Sequence, residues 1–407
     1  MTAPFVTFNL QQAEAVFQGG SRIRGALCLV LTSPILVAGV EVRFHGTARA
    51  SWREVVYSGT KSTEVEHEKE EIYFDDRFCL WGKVSQQIGW ETREVLPAGK
   101  HSFPFQYRLP SNVPCSFEGI DGWVRYRMQG LVIRPDGEHL CTENLFTVLR
   151  ELDLRKESLR EMLEDHAERT VRGACCRPGR ISCSVSLPKR FYVPGEALCV
   201  TANVDNVSVK RCGQCSLQIK QLVTYGGVHR YTVTMATSKL ADTIRPGLCR
   251  KWKDDSLVVP PSCPSVVDTN QLITIAYCVS LEVSFPDSDL YAAVPILVTS
   301  VPDYSLGFAS WTYELSGPCL PECRQSCSEP SKKHVTANGT GNGQGKFCPK
   351  YKAYRLEREK SMVVNLVQSP GVVRRESFTA RGRENPVDNS DECAILIGRS
   401  DHAESRA

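Results

Sequence analysis

Short runs in which apolar and polar residues alternate, broken by Gly, Pro, Asn and Asp, fill the first part of the chain. Val40, Val42 and Phe44 alternate with Glu41, Arg43 and His45, and Val124, Tyr126 and Met128 alternate with Arg125, Arg127 and Gln129. Successive side chains of a strand point to opposite faces, so this period of two turns one face toward a core and the other toward water. Two antiparallel sheets packed face to face satisfy it. The same grammar returns after Cys175: Cys183, Val185 and Leu187 stand against Ser182, Ser184 and Ser186, and Leu198, Val200, Ala202 and Val204 follow against more polar neighbours. The clearest strand carries Ile273, Ile275, Tyr277, Val279, Leu281, Val283 and Phe285 on one face and Thr274, Ala276, Cys278, Ser280, Glu282 and Ser284 on the other. A slip of one residue would bury Glu282, so its register is well specified.

Between these regions the text changes. In LDLRKESLREMLEDHAERT (152–170), Leu159, Met162, Leu163 and Ala167 recur among charges at helical spacing. This reads as a short amphipathic helix or an ordered hinge; helices of this length are marginal in water, so a solvated linker stays open as the alternative. Beyond residue 316 the periodicity fails. The run VTANGTGNGQGK offers too little apolar surface to offset its ordering entropy, which predicts a disordered tail. The expectation is therefore an all-β chain: a sandwich over 1–150, a hinge over 151–174, a second sandwich over 175–315 and a flexible tail over 316–407.

Composition narrows the function. The chain has 407 residues, more than the roughly 250–300 that one core usually supports. Its 49 basic and 46 acidic residues leave a net charge of +3, and no stripe of Lys and Arg interleaved with aromatics marks a nucleic-acid binder. The opening MTAPFVTFNLQQAEAVFQGG lacks a basic stretch followed by a continuous apolar one, and no run approaches the roughly 18–20 apolar residues of a membrane span. A cytosolic protein is expected. In that reducing compartment the 18 cysteines read as small buried residues, thiols or metal ligands and not as a disulfide framework; Cys28, Cys183 and Cys278 stand where Val would serve.

Catalytic constellations fail on inspection. There is no GxSxG, and His67-Glu68 lacks the second His of a helical zinc motif. Gly341 to Lys346 resembles a phosphate loop only superficially, because Thr340 stands where the first Gly is needed and Phe347 follows the Lys. The expectation is no enzyme and no cofactor. Cys212 and Cys215 have CxxC spacing but abut a strand and not a helix, which favours core filling over redox exchange. Cys319, Cys323 and Cys327 recur every four residues, with His334 and Cys348 following; a zinc knot, a lipid-modified cluster and ordinary tail thiols remain open. Arg374, Arg375 and Ser377 form an RRxS pattern, which makes Ser377 a phosphorylation candidate.

Several long blocks carry a resemblance. They are YFDD (73–76), VLPAGKHSFPFQYRLPSNVPCSFEGIDGWVRYRMQGLVIRP (95–135), FTVLRELDL (146–154), Cys175-Cys176, SVSLPKRFYVPGEALCVTANVDNVS (184–208), and LVVPPSCPSVVDTNQLITIAYCVSLEV (257–283) through PILVTSVP (295–302). In order and spacing they resemble the arrestin-domain-containing family, the α-arrestins, over about residues 5–305. Within these blocks Pro97-Ala98-Gly99 delivers a strand that turns Phe103 and Phe105 toward a core, and Pro194-Gly195 suits a type II turn. The resemblance implies two arrestin-like, immunoglobulin-like sandwiches. It also implies a non-catalytic adaptor that docks on membrane receptors or transporters, steers them into endocytic and endosomal sorting, and associates peripherally with the plasma membrane and endosomes. Family members commonly recruit ubiquitin ligases through PPxY motifs. This chain has none, since Pro260-Pro261 is followed by Ser, so ligase recruitment is the weaker expectation. GLCRKWKDDSLVV (247–259) is similar to thioredoxin-interacting protein, a member of that family, and implies that Cys249 exchanges with thioredoxin; a loop cysteine of no consequence is the alternative.

Overall fold

The computed structural model describes residues 4–58, 61–82, 84–85, 89–90, 93–151, 162–172, 178–254, 256–266, 271–285, 289–302, 310–318 and 347–357. All regular structure among them is β. The first sandwich contains β1 (Phe5–Leu10), β2 (Val16–Gln18), β3 (Arg22–Leu31), β4 (Ile35–Val37), β5 (Gly39–Ser58), β6 (Lys61–Gly82), β7 (Val84–Ser85), β8 (Gly89–Trp90), β9 (Glu94–Leu96), β10 (Gly99–Arg108), β11 (Phe117–Glu118), β12 (Gly122–Ile133) and β13 (Leu140–Leu149). One sheet runs β1-β3-β10. The other runs β2-β13-β12-β5-β6, with β11 added to β12. Ile23, Leu27 and Leu29 of the first sheet and Val40, Val42, Phe44, Tyr126 and Met128 of the second are buried, as the alternating pattern requires. Phe103 is buried as well, while Phe105 is half-buried and meets Phe8 and Phe44 edge-on. YFDD gains a physical reason: Phe74 enters the core, Asp75 takes two bonds from Arg43, and Asp76 accepts the Tyr107 hydroxyl at 2.7 Å.

The second sandwich contains β14 (Leu163–Arg172), β15 (Pro178–Leu187), β16 (Phe191–Tyr192), β17 (Val200–Asn206), β18 (Cys215–Tyr225), β19 (His229–Ala241), β20 (Leu248–Asp254), β21 (Ile273–Val283) and β22 (Leu290–Val298). Its sheets run β14-β15-β17-β20 and β16-β22-β21-β18-β19. The second order repeats that of the first sandwich, including its one parallel pair: β2 lies parallel to β13 and β16 parallel to β22. The sandwiches are thus two copies of one topology, with β14 an added strand. Ile273 through Phe285 keep the expected register, and Glu282 stays on the outward face of that inner strand, where it pairs with Lys220.

Two expectations are corrected. Where the spacing predicted a helix, Leu163–Arg172 forms strand β14 against β15. Leu163, Ala167 and Val171 recur every four residues, which satisfies a period of two as well as one near 3.6. The intervening inward positions, Asp165 and Arg169, are polar because they bond the backbone of the other sheet's edge: Ala293 N–H donates to Asp165 at 2.7 Å and Arg169 donates to Asp289 O at 2.7 Å. Residues 152–161 lie outside the described residues. The second correction concerns the region assigned to the tail, where β24 (Tyr351–Glu357) pairs antiparallel with β23 (Ser310–Ser316).

Candidate functional site at the domain junction

The hairpin of β5 and β6 is much longer than its sheet neighbours, and its far half reaches the second sandwich. There Trp52 lies stacked between His67, with ring centroids 5.3 Å apart, and His229 of β19, at 5.8 Å. Gly226 and Gly227 take positive φ in the β18–β19 turn, and a Cβ on Gly226 would come within 2.7 Å of the Trp52 ring. The bare backbone is what lets the turn approach. His229 Nε2 bonds Asp121 of the first sandwich at 2.9 Å, and Leu272 N–H donates to Glu71 of the hairpin at 3.1 Å.

Deeper in the junction the two copies face one another through matching bonds. In the first, Val148 N–H donates to Ser116 Oγ at 2.9 Å and the Tyr126 hydroxyl donates to Pro114 O at 2.8 Å. In the second, Val298 N–H donates to Ser265 Oγ at 2.9 Å and the Tyr277 hydroxyl donates to Cys263 O. Ser300 Oγ crosses between them to Arg150 O at 3.0 Å. Burial pushes the phenols of Tyr126 and Tyr277 well up, so both remain neutral donors.

A strap of chain, residues 347–357, closes the seam. Tyr351 is only 2% exposed and donates to Ser116 O at 2.9 Å. Lys350 N–H donates to Thr147 Oγ1 at 3.1 Å, and its ammonium pairs with Glu14. Those partners belong to the first sandwich. Tyr354 instead grips the second, its hydroxyl donating to Ser300 O at 2.6 Å and its N–H to Pro194 O at 2.7 Å. The expected type II turn receives it: Gly195 has φ +92° and Glu196 N–H closes on Val193 O at 3.1 Å.

Both copies match known domains. Residues 6–155 match the family model "Arrestin (or S-antigen), N-terminal domain" and residues 177–303 match "Arrestin (or S-antigen), C-terminal domain". The chain belongs to the arrestin-domain family. It is 28% identical to arrestin domain-containing protein 17 of Caenorhabditis elegans over 74% of this chain and 71% of that protein. It is 24% identical to mouse arrestin domain-containing protein 4 over 73% and 71%, and 25% identical to mouse arrestin domain-containing protein 1 over 72% and 63%. Arrestin-domain proteins are generally adaptors in trafficking and not enzymes.

The arrestin-domain fold disperses the residues singled out in the sequence. Cys249 lies exposed on β20 at a sheet edge, beside Arg250 and Lys251, with its thiol 3.3 Å from Asn203 Oδ1. Cys212 and Cys215 are buried, and burial pushes their thiols up to about 11 and about 12, as core filling requires. Cys319, Cys323, Cys327, His334 and Ser377 lie outside the described residues. Among the described residues no group of His, Cys, Asp and Glu has the arrangement of a metal site, and no helix is long and apolar enough to cross a membrane. Sequence reasoning missed the strap, though Phe347, Tyr351 and Tyr354 are aromatics recurring within a short stretch of an otherwise aromatic-poor tail.

Proposed function

We infer that this chain is a non-catalytic cytosolic adaptor that binds membrane receptors or transporters and links them to endocytic and endosomal sorting at the plasma membrane and endosomes. The observation that carries this reading is the presence of both sandwiches, in order, fastened by a built junction: two faces held at one angle suit simultaneous engagement of a cargo tail and a sorting partner. The exposed end of the β5–β6 hairpin, where Tyr57 is 76% exposed beside Val55 and Val56, adds an apolar contact surface. A ubiquitin ligase, if engaged, is reached without PPxY, through another protein or another surface.

Proximity labelling in cells tests the reading, with the intact chain compared against a chain ending at residue 359, which keeps the strap. Receptors, transporters and endosomal proteins labelled by both chains are expected. Labelling confined to soluble metabolic proteins would overturn it.

A second reading is a redox-responsive regulator that binds thioredoxin through Cys249. The exposure of that thiol on an edge strand favours it, because a partner's disulfide or thiol can reach it there. A thioredoxin variant that retains mixed disulfides would capture the chain, and capture unchanged by Cys249→Ser would refute the assignment.

A further inference from the structure

The outer strands of the second sandwich differ in how far they are open to pairing. Strand β16 is two residues long, β14 carries Glu164, Glu168 and Arg169 together, and the register of β19 against β18 shifts at Cys215/Ser216 and again at Ile219/Lys220. Strand β20 is regular over seven residues against β17 and has no strand on its other side among the described residues. Such an edge presents a row of backbone N–H and C=O groups with no ladder partner.

Its exposed charges are of one sign. Cys249, Lys251 and Lys253 lie on the outer face, opposite Asp205, Asn203 and Thr201 of β17. Leu248, Arg250 and Trp252 lie on the other face, level with the buried Asn206, Val204 and Ala202. Trp252 is half-buried and the other five are exposed. Cations elsewhere in this sandwich are engaged: Arg180 pairs with Glu168, Lys189 with Glu196, Lys220 with Glu282 and Lys239 with Asp242. Among the described residues Arg250, Lys251 and Lys253 enter no such pair. The carboxylate on their own strand is committed elsewhere, since Asp254 accepts the Ser238 hydroxyl at 2.7 Å and the Ser256 N–H at 2.9 Å.

We propose that β20 is a docking edge for an extended acidic segment of a partner protein, which joins the sheet as a strand beside it. Backbone bonds along the edge supply affinity and the cations select the partner. Lys251 and Lys253 are two residues apart, about 6.8 Å along the strand, which is the spacing of alternate side chains in an added strand. Acidic residues at every second position therefore meet both ammonium groups. The intervening side chains fall on the Leu248 and Trp252 face, where apolar groups fit, with Arg250 between them. The proposal deepens the adaptor reading by naming the chemistry of a bound segment, and rests on that reading only for the source of the segment, a cargo or sorting protein.

The test uses the full chain and a fluorescein-labelled peptide of four Glu-Val repeats, with binding read by fluorescence anisotropy. This assay needs no cargo, so its failure is distinguishable from failure of the adaptor reading in cells. The expected result is saturable binding, weakened about tenfold or more in the double variant Lys251→Glu, Lys253→Glu, whose urea midpoint should stay that of the unaltered chain because both positions are exposed. Cys249→Ser should bind as the unaltered chain does. Two N-methylated peptides, one blocked at the Glu amides and one at the Val amides, separate strand addition from plain charge attraction: one should fail and the other bind, because a single edge of an added strand faces β20. Equal binding of both, or binding undiminished by the charge reversal, would overturn the proposal. So would hydrogen-exchange protection by the peptide on β1 or β19 in place of residues 248–254. Tighter binding by a chain ending at residue 359 would overturn it as well, by assigning the edge to the chain's own acidic stretch from Asp388 to Glu392.

Discussion

Replacing Gly195 with Ala should eject the strap without touching any strap residue. A Cβ at this position would lie 2.0 Å from Tyr354 O and 2.9 Å from Tyr354 N. These are backbone atoms that cannot rotate aside. The left-handed backbone alone costs Ala about 1–2 kcal/mol; the clash is relieved only if the strap leaves. Departure forfeits the bond from Tyr354 N–H to Pro194 O and the burial of Tyr351 and Tyr354. Truncating one buried aromatic costs about 3–5 kcal/mol where the site cannot collapse. Even the lower figure corresponds to roughly a hundredfold faster amide exchange in the strap, at about 1.4 kcal/mol per factor of ten. Hydrogen exchange read by mass spectrometry on peptides covering 310–316 and 347–357 measures it, with β21 as the reference for an intact core. Tyr351→Ala should give the same pattern from the other sandwich's side, and the double variant should exchange no faster than either single one, since both act through a single docking event. Unchanged protection of residues 350–357 in Gly195→Ala, with β21 still protected, would refute the reasoning.

Two further expectations concern charge. Burial, reinforced by Arg127 and partly offset by Asp75, holds the His45 imidazole below its usual value, and the neutral ring accepts the Arg127 Nε–H at 3.2 Å. A depressed folded value means that protonation favours the unfolded chain, so this stability is whole above the ordinary histidine value of about 6.5 and is lost as pH falls below it. The urea midpoint should therefore drop between pH 7.5 and pH 5.5, and drop less in His45→Gln; equal drops would count against it. At the junction, the Asp121–His229 pair is 24% and 30% exposed, so a double-mutant cycle with Asp121→Asn and His229→Gln should show a coupling of about 0.5–1 kcal/mol in thermal or urea unfolding, and a value of zero would mean the contact is incidental.

The strands with one buried face were legible because inward positions are large and apolar while the alternate ones are small or polar, as in Ile273 through Phe285. Strand β14 was not, because Asp165 and Arg169 point inward to bond backbone groups, and a pattern reader counts them as surface. The turn at Pro194-Gly195 was read correctly from its backbone chemistry. Its second role, leaving room for Tyr354, depends on a segment more than a hundred residues away and leaves no local trace. Trp52, Asp121 and His229 likewise looked like ordinary residues of separate strands and turns. The cross-strand registers that bring them together are set by pairings distant in sequence.

The β5–β6 ribbon has one more consequence. Its near half supplies Val40, Val42 and Phe44 to the first core, Glu71 near its middle and Trp52 about two-thirds of the way out meet the junction, and its tip carries Tyr57 into solvent. At about 3.4 Å per residue, a strand running from Gly39 to Ser58 is a beam of about 60–65 Å, anchored at one end and resting on a fulcrum between its middle and its tip. A load applied at the tip is thus transmitted as torque to the His229 and Leu272 contacts, so a partner seated on Tyr57 would prise at the seam between the sandwiches without ever touching it.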